Sequence, residues 1–253
     1  MDIQRNQIST LSSLNHQAVV VLPQSRPLLA RRPWVGILVM LVGIAIFALL
    51  AFNVVTNGPL IQQDQPIAQA LHYQARHGSW VILGIMWFFS ATGMEGIMMF
   101  ILVLAVIWIW QRRWRELTLL IYGVGGGEML FQTLGHIFNR HRPVFPDPLE
   151  HLSGPGFPSG HTTTSIILFG LMLYLLWPRL KTGSARLLGI LLVIFMVGMI
   201  GFARMYIGDH FLTDILGGVF AGLAWGAAVF TGVEIAYWSH QPGGRKGIEN
   251  QTG

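Results

Sequence analysis

The stretch WVGILVMLVGIAIFALLAFNVV, from Trp34 to Val55, decides the class of this protein. It runs 22 residues without a charge, inside a longer uncharged stretch from Pro33 to Gln63. A helix rises about 1.5 Å per residue, so this segment is long enough to cross a hydrocarbon core of about 30 Å. The rest of the chain has the same character. Of 253 residues, 53% are hydrophobic and only 11% charged, against about 25% charged in an ordinary soluble domain. Mean hydropathy is +0.55. This composition excludes a disordered chain and argues against an ordinary soluble enzyme. There is no cysteine, which removes disulfides, thiolate metal sites and cysteine nucleophiles. The net charge of +5 fits basic cytoplasmic loops in so apolar a chain, and no nucleic-acid partner is expected.

Working outward from the first span, the next apolar region covers Ser79 to Trp110 and exceeds the length of one crossing. Ala91-Thr92-Gly93 and Glu95-Gly96 interrupt it. The reading is a short interfacial helix over Ser79–Ser90 and a second span over Met94–Trp110. Further spans are expected at Leu117–Phe138, His161–Trp177, Leu187–Ala203 and Phe211–Trp238. The expected fold is an all-α, polytopic membrane helix bundle with six transmembrane helices and a short interfacial helix. It divides into a cytoplasmic tail over 1–32, a six-span domain over 33–238 and a second cytoplasmic tail over 239–253.

Charge orients the bundle. With the N-terminus inside, cytoplasmic segments hold Arg5, Arg26, Arg31, Arg32, Arg112, Arg113, Arg115, Arg179, Lys181, Arg186, Arg245 and Lys246. The outer side holds only Arg76, Arg140, Arg142 and Arg204. Twelve against four follows the positive-inside rule, which a seventh span would break.

Three polar clusters then fall on the outer face. The first is Asn139-Arg140-His141-Arg142-Pro143. The second, Pro158-Ser159-Gly160-His161, opens the fourth span, where unpaired helix N–H groups attract an anion. A plain N-cap role for Ser159 competes with that reading. The third runs from Arg204 to Asp214. There His210 and Asp214, four apart, share a helix face, so the carboxylate can accept the Nδ1–H and leave Nε2 as a nucleophile. A simple Arg204–Asp214 salt bridge competes. A metal site is the poorer reading: no third ligand has suitable spacing, and two arginines would repel a cation. Arginine forks match phosphate oxygens, so the inventory fits phosphoryl transfer through a phosphohistidine.

Arg142-Pro143, Pro158-Ser159-Gly160-His161 and Arg204…His210…Asp214 resemble the three signatures of the type 2 phosphatidic acid phosphatase superfamily. The resemblance covers about Gly135 to Asp214. It implies His210 as nucleophile, Asp214 as its partner and His161 as general acid. It also implies Arg142 and Arg204, with the backbone of Ser159 and Gly160, as the phosphate cradle, and hydrolysis without metal or other cofactor. The first family signature usually begins with lysine at the position of Gly135, and the third with serine at the position of Ala203. Arg140 or His136 is a candidate replacement for the lysine.

Glu128, Gln132, His136 and Arg140 are spaced by four and form one polar stripe, read either as substrate contact or as intramembrane packing. Gly123–Gly127 suits close helix contact and lacks the ending of a nucleotide loop. His72, His77, His141 and His151 are expected in outer loops or at the interface. Asp147 and Glu150 are expected to restrain Arg140 or to solvate the loop, and Asp209 to pair with an arginine.

The expected protein is an integral membrane phosphatase of the bacterial cytoplasmic membrane. Both termini lie inside, and a lipid phosphate or diphosphate is hydrolysed at the outer face. A haloperoxidase shares these residues but not the spans. Two other classes remain: an intramembrane serine protease using Ser159 and His210, and an anion or lipid transporter. The protease reading lacks the glycine that rhomboid-type enzymes have at the position of Phe157.

Overall fold

A computed structural model of the chain describes residues 28–150 and 153–239. The tail readings over 1–27 and 240–253, and the one for His151, lie outside the described residues. After a helical turn at Leu28–Arg31, the described residues form nine α-helices: α1 Pro33–Thr56, α2 Pro59–His77, α3 Trp80–Ala91, α4 Ile97–Trp110, α5 Trp114–Leu120, α6 Gly126–Phe138, α7 Gly160–Leu176, α8 Gly183–Tyr206 and α9 Leu212–Ser239. No strand occurs among the described residues. Among the described residues, four helical segments are long and apolar enough to cross a membrane: α1, α8, α9, and α7 with its terminal 3₁₀ turn, Gly160–Arg179.

Local chemistry sets these ends. Pro33 and Pro59 stand in the first turns of α1 and α2, where a missing N–H costs nothing. Asn57 and Asn139 close α1 and α6 in the left-handed conformation, with φ of 49° and 40°. The Thr182 hydroxyl accepts the Ala185 N–H at 3.1 Å and caps α8.

The region from Trp80 to Trp110 departs from the sequence reading. Thr92–Gly96 does not break the helix. It forms a π-helical turn that joins α3 to α4, with the Thr92 hydroxyl donating to the Phe88 carbonyl at 2.8 Å. The expected surface helix and second span are thus one continuous, locally widened rod. A second π turn, Ile121–Gly125, joins α5 to α6 in the same way. The mixed-polarity helix of the bundle is α2, a segment the sequence reading left unassigned. Asp64 and His72 on it are buried.

Helix α9 packs against α1 and α7, and α8 packs against α7 and α3. Leu119, Ile167, Leu168, Leu171, Ile200 and Phe230 form the main core. On α9, small residues allow the close approach: a Cβ on Gly218 would lie 2.5 Å from the Ser159 carbonyl oxygen. That contact presses the start of α7 onto the start of α9 and brings two of the three polar clusters together. Away from the contacts, α1 and α8 leave large apolar side chains such as Phe52, Val55, Leu188 and Ile194 exposed, as lipid-facing surfaces require. Arg115 and the buried Glu234 form an ion pair that ties α5 to the last turns of α9.

Candidate active site

The three polar clusters meet around one cavity of about 350 Å³. Arg142, His161, Arg204 and His210 line it together with Gly160. Trp87 of α3 and Phe131 of α6 complete an apolar side.

His210 lies in the turn between α8 and α9 and is 2% exposed. Its Nδ1 is 3.0 Å from the Gly156 carbonyl oxygen. Its Nε2 is 3.1 Å from Arg142 Nη1. A carbonyl only accepts and a guanidinium only donates. Both neighbours therefore select one tautomer, with the proton on Nδ1 and a lone pair on Nε2. Burial holds this imidazole below its ordinary value. Asp214 opposes that shift, and Arg142 and Arg204 add to it.

The tautomer is the expected one, but its first partner is not. Asp214 Oδ2 stands 3.6 Å from Nδ1, farther than the Gly156 oxygen. Asp214 is fully buried and otherwise engaged. Its Oδ1 accepts from Arg140 at 2.6 Å, and its Oδ2 accepts the Phe211 N–H at 2.8 Å. The second bond closes the turn that presents His210.

Arg142 is held by two carbonyls besides its contact with His210. Its Nη1 donates to Asp209 O at 3.1 Å and its Nε to Gly154 O at 3.3 Å. Among the described residues no carboxylate forms an ion pair with it, which leaves its charge for the cavity. Arg204 is 4% exposed. It donates to Ser90 Oγ at 2.7 Å and to Glu150 Oε2 at 3.5 Å, and lies 2.7 Å from Asp209 Oδ2. Asp209 thus pairs with an arginine, as its position beside the cluster suggested. Burial, reinforced by the nearby Glu150, raises its carboxyl to about 7 despite Arg204. The competing Arg204–Asp214 bridge is absent from these contacts: Asp214 takes Arg140 and Arg204 takes Asp209.

The α7 start divides its two cradle candidates. Gly160 faces the cavity, and a Cβ there would meet the Phe131 ring at 2.8 Å. Ser159 is fully buried. Its N–H donates to Asp214 O at 3.0 Å, and its carbonyl accepts the hydroxyls of Thr162 and Thr163 at 3.1 and 2.9 Å. The Ser159 amide is therefore committed to the α7–α9 junction and not free for an anion. Among the described residues its Oγ has no hydrogen-bond partner, so the serine–histidine pair of a protease is not formed.

The other replacements and restraints also sort differently. Arg140 cannot replace the lysine expected at Gly135, because both its terminal nitrogens are held by Asp64 and Asp214. His136 is exposed on α6. Pro155 explains the glycine: a Cβ at position 135 would lie 2.9 Å from its Cγ. The polar stripe holds from Glu128 to Gln132, bonded at 2.8 Å. It ends before Arg140, because Asn139 turns the chain out of the helix. Asp147 bonds His72 and Arg76 at 3.1 and 2.7 Å rather than Arg140, and His72 is buried against Phe145 at 3.9 Å. His77 and His141 are exposed, as expected.

Three contributors were missing from the sequence reading: Asp64, the Gly156 carbonyl and Glu95. Two had a signal. Asp64 is the only charged residue between Arg32 and Arg76, and Glu95 the only one between Arg76 and Arg112. The first pairs with Arg140 and the second lines the cavity.

Residues 116–238 match the family model described as the PAP2 superfamily. The chain is 31% identical over 124 residues to phosphatidylglycerophosphatase B of Bacillus subtilis (strain 168), a match covering 49% of this chain and 60% of that protein. It is 26% identical over 170 residues to undecaprenyl-diphosphatase BcrC of the same organism, covering 65% and 81% of the two chains. Among solved structures, a transmembrane PAP2 type phosphatidylglycerolphosphate phosphatase from Bacillus subtilis superposes with a TM-score of 0.66 at 23% identity, over 81% of this chain and 98% of that one. This last likeness establishes a shared fold.

Proposed function

Residues 116–238 are a PAP2-superfamily domain, and from that premise we propose that the chain is an integral membrane phosphatase acting on a lipid phosphate or diphosphate monoester. The observation that carries this reading is the Nε2 lone pair of His210, held at a cavity lined by two arginines and a second histidine. The two B. subtilis relatives carry names of lipid phosphate enzymes, one a phosphatidylglycerophosphatase and one an undecaprenyl-diphosphatase, which supports the substrate class.

An arriving phosphate offers oxygens to Arg142 and Arg204 and to the free N–H groups opening α7 at Gly160. Arg142 then exchanges its hydrogen bond to His210 Nε2 for one to phosphate, which releases the lone pair. Nε2 attacks phosphorus, the bond from phosphorus to the lipid oxygen breaks, and His161 gives that oxygen its proton. The Gly156 carbonyl and Asp214 balance the positive charge arising on His210. Water next attacks the phosphohistidine, His161 takes the proton from that water, and the N–P bond breaks to release phosphate. The arginines supply the positive charge, so the scheme needs no metal.

The apolar wall formed by Trp87 and Phe131 suits the lipid portion of the substrate. Topology completes the proposal. Joined through their π turns, α3–α4 and α5–α6 each make one crossing, which with α1, α7, α8 and α9 gives six spans. Both termini then lie in the cytoplasm and the cavity opens to the outer face of a bacterial cytoplasmic membrane.

The test is phosphate release by the purified protein in detergent, with phosphatidylglycerophosphate, phosphatidic acid and undecaprenyl diphosphate. His210→Ala is expected to abolish turnover and the acid-labile phosphoenzyme. His161→Ala is expected to slow lipid substrates by about a hundred- to ten-thousand-fold, and to lose far less with nitrophenyl phosphate, whose leaving group needs no proton. Labelled phosphate retained on His210→Ala, or equal losses with both leaving groups, refutes the assignments.

A further inference from the structure

Asp64 stands on α2, outside all three polar clusters, yet it is 2% exposed. Its Oδ1 accepts the Thr213 N–H at 3.1 Å. Its Oδ2 accepts the Thr213 hydroxyl and, at 2.7 Å, Arg140 Nη2. The same guanidinium uses Nη1 to reach Asp214 Oδ1 at 2.6 Å and the Thr213 hydroxyl at 2.6 Å, and lies over the Phe211 ring at 4.6 Å. The buried Asp64 and Asp214 and the half-buried Arg140 therefore form one chain of three charges, whose far end stands 3.6 Å from His210 Nδ1. Two carboxylates and one guanidinium leave that chain a net charge of −1.

We propose that Asp64 is a positioning residue for the nucleophile: by sharing Arg140 it keeps the charge that Asp214 presents to His210 from being cancelled, and by bonding Thr213 it fixes the first turn of α9. The proposal rests on the reading of His210 as the group that accepts the phosphoryl. Without Asp64, the full charge of Arg140 falls on Asp214. The pair then sums to zero, and the imidazolium arising on His210 loses its counter-charge in a site of low polarity.

Other charged groups also face His210. Arg142 comes from the loop after α6 and Arg204 from α8. His161 comes from α7, Asp209 from the preceding turn, Glu150 from the loop against Arg204, and Glu95 from the π turn after α3. These stay unchanged when Asp64 and Arg140 are varied, so the variants isolate the chain.

The test uses the full-length protein and three variants. Asp64→Asn sets the chain to zero, Arg140→Gln sets it to −2, and the double variant restores −1. The low-pH limb of kcat/KM for lipid phosphate is expected to move down by about one pH unit in Asp64→Asn, up in Arg140→Gln, and back toward wild type in the double variant. Asp64→Asn is expected to lower kcat by about ten- to a hundredfold with KM changed less than about threefold. A role confined to docking α2 predicts a fixed limb and losses that add in the double variant, and that outcome overturns the proposal. Nitrogen-15 histidine NMR in detergent, with His210 assigned through His210→Gln, reads the same titration without substrate. If wild type hydrolyses no lipid phosphate, the functional reading fails, while the NMR shift still decides the charge chain. Should Asp64→Asn not fold, Asp64→Glu and Arg140→Gln carry the test: the first must keep the wild-type titration and the second must raise it.

Discussion

Gly218 is where the fold and the site meet, and Gly218→Ala tests that junction. A Cβ there would collide first with Thr162 Oγ1 and would lie 2.5 Å from the carbonyl oxygen of Ser159, with Thr163 Oγ1 at 3.1 Å. Ordinary contact begins near 3.4 Å, so the carbonyl must retreat by roughly 0.9 Å. It cannot do so alone, because the Thr162 and Thr163 hydroxyls and the Thr163 N–H all bond it. The first turn of α7 has to move as a unit and carries Gly160 and His161 with it. Overpacking of this kind costs about 1–3 kcal/mol. Alanine returns up to about 1 kcal/mol of helix propensity inside α9. The net loss of stability is therefore about 0–3 kcal/mol. Catalysis is more sensitive, since a displacement near 1 Å of a group that must donate a proton costs up to about a hundredfold. Turnover and thermal unfolding are measured in the same detergent, beside Gly232→Ala, whose Cβ meets nothing within 4 Å. The control is expected to keep wild-type turnover. Wild-type turnover in Gly218→Ala refutes the argument that the α7–α9 contact sets the position of His161.

Gly135→Lys introduces the lysine usual in the family, but its Cβ would lie 2.9 Å from Pro155 Cγ. The clash pushes the loop whose next residue, Gly156, orients His210. A fall in kcat/KM of about tenfold is expected from this overpacking, and a rise in kinetic assays would show that the loop yields and the lysine reaches phosphate. For the six-span arrangement, a reporter fused near Asp147 should be accessible from outside and one near Lys181 from inside. Both on one side of the membrane would sink it.

What could be read in the sequence was what repeats or stands in a short motif. The span over Trp34–Val55 needed only an uncharged run, and α7, α8 and α9 lie within a few residues of their expected bounds because each is a single apolar stretch. Arg142, His161, Arg204 and His210 share one cavity, as their clustering at helix ends implied. The failures have a common physical cause. Glycines and a glutamate between Ala91 and Ile97 read as a break because propensity is local, whereas a π turn satisfies the same backbone groups inside the helix and keeps the rod continuous. The acceptor for His210 is a main-chain oxygen 54 residues away, and a carbonyl has no residue type to recognise. The partner of Arg140 is 76 residues distant on a helix that no periodicity announced.

One signal for that partner was nevertheless present. In a chain where desolvating a carboxylate is costly, an isolated acid in an apolar or neutral run persists only if something buried compensates it. Asp64 and Glu95 are the two such residues between Arg32 and Arg112. Asp64 is answered by Arg140 and Thr213, and Glu95 opens on a cavity carrying two arginines. A lone charge thus pointed to the site as firmly as the motifs did. It named no partner, because charge pairing across a bundle depends on which helices touch, and contacts such as Gly218 against Ser159 decide that.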